Sequence, residues 1–346
     1  MKKAKKSQKG EGSLATRIIA SGVSTPKKHH YLPEFYLKKF STAGELWVYD
    51  RERDTYDKRR PEITAIRKGF YAIKDEHGKK DYGEVERRLS VIESHAALAI
   101  QKLDGPLKLK VVELNALALF VALLKFRIPA FERQMNEIGA MFATVEEAKE
   151  LLAPSVESVQ QKLEQQGYNG ADSLQEARRI YEKVHAGEYQ VDISPDFRIQ
   201  KMAQYSDEIT QAFLKKPWTL VRSPEGSSFI TSEDPLVVIE LDNAPDIFSY
   251  TGPETIPAGF DFWIPLSPRT CLVIGNEACN GRVIKLQKTE VRAINVMIAA
   301  QCERFFMAGD EALLRRVARS LPRAVQSGWS MPEGIRLPEC FGYRQD

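Results

Sequence analysis

Cysteine is scarce in this chain, and no pair of cysteines has a useful spacing. Cys271, Cys279, Cys302 and Cys340 all lie in the last third of 346 residues. That spacing excludes a zinc finger, and so few thiols do not make a disulfide framework. The setting expected is a reducing cytoplasm. Long apolar runs are missing as well. The longest uncharged stretch, Leu114 to Leu124, falls well short of the roughly 20 residues that span a bilayer. No membrane is therefore expected, and the run reads as a buried core helix. Near the N-terminus only Ile18, Ile19 and Ala20 follow the charged region, which is too short for a signal peptide. There is no phosphate-binding Gly-rich loop ending in Lys-Ser/Thr, no dinucleotide fingerprint after a strand and no nucleophile elbow. Any chemistry must come from residues dispersed along the chain.

What is present is an ordinary globular composition. Hydrophobic residues make up 43% and charged residues 28%, enough to fill a sizeable core. The net charge of +3 is unevenly placed. Residues 1–30 hold eight Lys/Arg against Glu11 alone, leaving 42 basic and 46 acidic groups for the rest. Residues 1–27 read as a flexible basic tail that can touch phosphates weakly or stay solvated. The mildly acidic body lacks the basic surplus of a protein that coats a duplex.

Periodicity divides the remainder at Pro217. Residues 28–216 read as a mainly helical part with a small β-hairpin. Pro33 opens a short helix to Phe40, and Leu46–Tyr49 with the run from Thr55 form the hairpin. Asp81 and Glu84 have capping-box spacing before a helix with Val85, Leu89, Ile92, Ala96 and Ala99 on one face. The next helix should bend or stop near Pro129. Helices are expected over 131–152, 155–165, 173–185 and 196–215. The Gln- and Glu-rich composition of 144–190 places that stretch outside the main core. Residues 217–346 read as a mixed sheet plus one long helix, possible partners of the first part in one core. Strands are expected at 218–221, 229–231, 236–241, 260–266 and 270–274, and the last helix at 289–307. The fold class is α+β.

Five groups of residues could carry chemistry. His29 and His30 stand together before a helix, suited to proton transfer or to a packing hydrogen bond. Glu86 and Glu93, seven apart, share a helix face, where they could ligate Mg²⁺ or Mn²⁺ or simply meet nearby arginines. Arg127, before Ile128 and Pro129, could clamp a phosphate or carboxylate, or complement a helix C-terminus. Ser232–Glu233–Asp234–Pro235 offers two acids at a strand end but is also good turn sequence. Asn295 adjoins an apolar helical stripe and must find partners, as must Arg304 farther on. Arg88 and His95 have the spacing of helical endoribonucleases, although Leu89 fills a place usually polar there.

The order of these motifs resembles the bacterial domain of unknown function numbered 4238. His29 to Leu37 match its His-His-Tyr-x-Pro-x-Phe-Tyr-Leu opening, and Leu46 to Asp50 its Leu-Trp-Val-Tyr-Asp strand. Phe70–Tyr71, Glu86 and Glu93, Arg127 with Pro129, Pro265 to Pro268 and Asn295 match later elements. In its Thr-Ser-Asp-x-Pro segment, Glu233 stands where Asp is usual. The resemblance implies a site but no activity. It raises the weight on His30, Glu93, Arg127, Glu233 and Asn295. The expectation is a metal-dependent hydrolase of a phosphate ester, in nucleic acid or nucleotide, with a role in bacterial defence. Glu93 and Glu233 would hold Mg²⁺ or Mn²⁺, His30 would move protons, Arg127 would stabilise negative charge and Asn295 would orient substrate. The alternative is a binding or regulatory protein in which these residues form a structural network.

Overall fold

The computed structural model describes residues 28–74, 78–143, 146–165, 167–168, 170–189, 193–240, 260–275 and 280–321. The basic tail, Cys279 and Cys340 lie outside them. The class is α+β, as the periodicities indicate.

The centre is a helix that is apolar all round. Helix α3 (Val111–Phe126) buries Leu117, Ala118, Phe120, Val121, Ala122, Leu123 and Leu124, which requires neighbours on every side. Those neighbours include α2 (Glu84–Lys102) and α8 (Pro195–Lys215). Ser194 caps α8 by accepting from the Phe197 N–H at 3.2 Å, with Pro195 in its first turn. Before α2, Asp81 accepts from the Gly83 and Glu84 N–H groups at 2.6 and 3.1 Å, so no reciprocal capping box forms. Pro129 does not merely end α3. It is the first residue of α4 (Pro129–Ala143), and Arg127 and Ile128 make the corner between the two helices.

Helices α5 (Glu146–Leu152), α6 (Val156–Gln165) and α7 (Ala171–His185) follow. Ala153, Val159, Leu163, Ala177 and Val184 form a small apolar cluster of their own, apart from the two larger clusters.

The largest sheet has the order β12-β7-β11-β10-β9. Its strands are β7 (Trp218–Arg222), β9 (Val237–Glu240), β10 (Phe260–Ser267), β11 (Thr270–Ile274) and β12 (Val283–Lys285). β12 runs parallel to β7 and the other pairs are antiparallel. A second sheet, β3-β2-β13-β8, joins distant parts of the chain. The hairpin of β2 (Leu46–Asp50) and β3 (Thr55–Arg59) pairs through β13 (Phe305–Ala308) with β8 (Thr231–Ser232). The largest apolar cluster runs from Tyr31 to Met307 and so draws on both sides of Pro217.

The final helix is shorter than its stripe suggests. α9 (Lys288–Gln301) stops because Cys302 is extended (φ −75°, ψ 145°). Phe305 and Met307 therefore belong to β13, and Arg304 lies in the bend between α9 and β13. A further helix, α10 (Glu311–Ala318), follows Asp310, which caps it by accepting from Ala312 and Leu313 N–H. Near the start, β1 (Lys28–His30) pairs antiparallel with β4 (Ile66–Lys68). It leads into α1 (Glu34–Lys39), with Pro33 as its N-cap residue. Tyr36 of α1 is wholly buried, and its hydroxyl meets Thr231 Oγ1 and donates to the Pro265 carbonyl, both at 2.8 Å. That one phenol ties the N-terminal segment to both sheets.

Candidate functional site

Residues from four segments converge on Tyr71. Strand β1 alternates, so His29 is buried while His30 keeps some exposure. The His29 Nδ1 accepts from the Tyr71 N–H at 2.7 Å, and the two rings stack with centroids 5.5 Å apart. The Tyr71 hydroxyl donates to the Arg127 carbonyl at 3.0 Å. Its acidity is suppressed by burial, against the pull of Arg127 and with a contribution from Glu86. Arg198, on α8, also acts on this phenol.

Arg127 is the brace of the cluster. Its side chain is 1% exposed. Nη1 donates to Glu93 at 2.7 Å, Nη2 to the His30 carbonyl at 2.8 Å and Nε to the Tyr71 hydroxyl at 3.3 Å. Burial works against the guanidinium charge, but Tyr71 and Glu93 outweigh it and hold the pKa above its ordinary value. The cation is permanent, and each of its three nitrogens already has a protein partner. Arg127 therefore positions its neighbours rather than reaching out to a ligand.

Three side chains carried by these segments have buried polar atoms without a protein partner among the described residues. They are Glu86 Oε1, His30 Nε2 and Arg198 Nη1. An unpaired buried polar atom is costly, so such atoms concentrate where a water, ion or ligand completes them. Glu86 lies in the first turn of α2. Desolvation by burial raises its pKa to about 7, with Arg127 lowering it, Glu93 raising it and the His30 backbone hydrogen bond lowering it. Arg198 is 3% exposed. It donates from Nη2 to the Phe70 carbonyl, lies over the Phe70 ring at 4.3 Å and has Glu132 at 3.6 Å from Nε. Burial lowers its pKa, while Glu132 and Tyr71 act the other way.

Glu233 and Asn295 make none of the hydrogen bonds of this cluster. Glu233, after β8, accepts from the Arg304 N–H at 2.5 Å and the Phe305 N–H at 3.3 Å, and burial raises its pKa. Asp234 beside it meets Lys125 at 2.6 Å. Tyr31 is within electrostatic reach of both groups, feeling Glu233, Arg59, Arg304 and Tyr71. Asn295 is 2% exposed, and both ends of its amide serve backbone. Oδ1 accepts from Ile230 N–H at 3.0 Å and Nδ2 donates to the Ser228 carbonyl at 2.8 Å. Its bonds fix the segment that leads into β8, where the expected strand 229–231 shrinks to Thr231–Ser232.

The two residues expected to hold a metal each have protein partners. Glu93 is engaged by Arg127, and Glu233 by two backbone amides. Among the described residues, no group of three or more His, Cys, Asp or Glu is arranged to hold a metal ion. The Arg88–His95 pair is likewise engaged. Arg88 bonds Glu84 at 2.8 Å on the exposed face of α2, and His95 Nδ1 bonds the Val91 carbonyl at 2.8 Å.

The family model described as "Protein of unknown function (DUF4238)" matches residues 28–312. The chain belongs to the DUF4238 family. No curated protein and no solved structure matches it. The DUF4238 match therefore carries no activity across, and the site is defined by its own geometry. One member of the Tyr71 cluster, Arg198, escaped the sequence, and another, Glu86, was named without the burial that sets it apart. Arg198 lies in a helix whose surface is otherwise full of Lys, Gln and Asp, and nothing in its spacing marks it as buried. Glu86 was visible on the face of Glu93, but burial, which distinguishes the two, is not encoded in that spacing. Among the described residues, no helix is long and apolar enough to cross a membrane.

Proposed function

We propose that this protein hydrolyses a phosphate ester in nucleic acid or a nucleotide, using the Tyr71 cluster as its proton-transfer site. One observation carries the reading: Glu86 Oε1, His30 Nε2 and Arg198 Nη1 are buried without a protein partner among the described residues, Glu86 and Arg198 both act on the Tyr71 phenol, and the His30 backbone bonds Glu86 and Arg127. An acid whose pKa lies near 7 is matched to proton transfer at neutral pH. In the proposed reaction water attacks phosphorus and gives its proton to His30 Nε2. The bond from phosphorus to the leaving oxygen breaks, and Glu86 supplies that oxygen with its proton. Arg198 Nη1 donates to a non-bridging oxygen. Arg127 holds the His30 backbone and Glu93 in register and does not itself touch substrate. A role in bacterial defence is the setting in which such an activity would be used.

A second reading has its own support. Arg127, Glu233 and Asn295 all spend their polar groups on protein atoms, as a structural network in a binding protein would. Assays on DNA, RNA and nucleotides, with Mg²⁺, with Mn²⁺ and with chelator, separate the two. The hydrolase reading expects turnover that Glu86→Gln and His30→Gln each reduce at least tenfold. Turnover unchanged in both variants, or none on any substrate, favours the binding protein.

A further inference from the structure

A polar pocket lies where α9 and α10 meet the turns around Thr42 and Ser227, and it shares no residue with the Tyr71 cluster. Its volume is about 660 Å³, within the range of small-molecule sites. Four cations line it: Lys288 and Arg292 from α9, Arg316 from α10 and Arg319 at its C-terminal cap. The spacing brings them together, since residues three or four apart share a helix face. Among the described residues, Asp310 is the one acid that lines it with them. That carboxylate is 3.9 Å from Arg316 and is already used to cap α10. Among the described residues, Lys288, Arg292 and Arg319 have no carboxylate within 4.0 Å. Arg292 donates to the Ser320 hydroxyl at 3.0 Å, a neutral partner that leaves its charge uncompensated.

Four like charges around one concavity repel one another and attract an anion. The floor is different in character. Phe40, Phe229 and Val317 are 1%, 1% and 2% exposed and form its apolar base. Ser227 adds a hydroxyl at the rim. The walls are held in place: Gly309 has no room for a Cβ against Thr42 and the Phe40 carbonyl. Asn295 pins the Ser228 wall through its amide. A charged rim over an apolar floor matches a molecule with both a phosphate and a flat apolar moiety.

We propose that this pocket is a binding site for a small phosphate-bearing molecule with an apolar ring, of the size of a nucleoside monophosphate. The phosphate lies among Lys288, Arg292, Arg316 and Arg319, and the ring lies on Phe40 and Phe229. Calorimetric titration of the full chain with adenosine monophosphate, pyrophosphate and adenosine tests it. Adenosine monophosphate should bind saturably, more weakly as salt is raised, and adenosine at least tenfold less tightly. Arg292→Gln and Arg319→Gln should each weaken the monophosphate about tenfold, the loss of one charge-assisted hydrogen bond. Both side chains are exposed, so the melting temperature should not move. Glu86→Gln should bind like the wild type, because it lies outside this pocket. The proposal is overturned if neither phosphate compound binds, if the double Arg variant binds as tightly as the wild type, or if Glu86→Gln alone abolishes binding.

Discussion

Replacing Glu86 by Gln should change how stability depends on pH, in a direction that the structure fixes. Burial moves the Glu86 carboxyl from 4.5 to about 7. Between those values the native state keeps a proton that the unfolded chain has released. Stability therefore falls as pH rises through that window and levels off above about 7. A shift of this size has a ceiling of about 3 kcal/mol, at roughly 1.36 kcal/mol per unit. Solvent reaches one side of Glu86, so screening reduces the expected effect to about 1–2 kcal/mol. Gln imitates the protonated acid at every pH. Wild type and Glu86→Gln should therefore have equal stability below about pH 4, where both states hold the proton. Near pH 8 the variant should be the more stable by about 1–2 kcal/mol. Urea denaturation followed by circular dichroism at several pH values reads the difference directly. Two parallel curves would show that Glu86 ionises freely in the folded protein. The reasoning about desolvation at the Tyr71 cluster would then be wrong.

Other outcomes follow from the same geometry. Arg127→Ala leaves Glu93, the His30 carbonyl and the Tyr71 hydroxyl without their donor, and should cost about 3–5 kcal/mol in chemical denaturation. The double variant Arg127→Met with Glu93→Gln should recover part of that loss, since no charge is then stranded. Asn295→Ala removes two buried backbone partners and should cost about 2–4 kcal/mol, with added proteolysis around Ser228. Asp50 titrates in the opposite sense to Glu86. Burial opposes its charge, but the Arg304 guanidinium at 2.9–3.1 Å and the Arg53 and Glu52 N–H groups prevail and lower its pKa. It stabilises the fold above its unfolded pKa, and that contribution disappears as pH falls through the lower folded value. Asp50→Asn should thus lose about 1 kcal/mol at neutral pH and nothing in strong acid, as scanning calorimetry would show.

The sequence announced the elements whose patterns are self-sufficient. The Leu114–Leu124 run, the Leu46–Asp50 hairpin strand and the Thr270–Ile274 strand all appear close to where their periodicity puts them. The last helix misled because Phe305 and Met307 continue a helical spacing although their backbone has turned extended at Cys302. An apolar residue every three or four positions cannot reveal that its neighbour pairs with Trp47 or Val48 far upstream. The site divided in the same manner. His30, Glu93 and Arg127 do come together, because the α3–α4 corner, β1 and α2 meet there. Glu233 and Asn295 share none of their hydrogen bonds, since each completes a backbone that only the tertiary fold leaves short of a partner.

Strand β13 has a consequence for the life of the chain on the ribosome. The β2–β3 hairpin is synthesised early, yet the strand that covers the β2 edge is among the last segments of the described fold to emerge. Until then β2 presents an open row of amides and carbonyls. Fragments that stop before Phe305 should therefore be the ones that self-associate or call on chaperones, while completing the chain closes the seam.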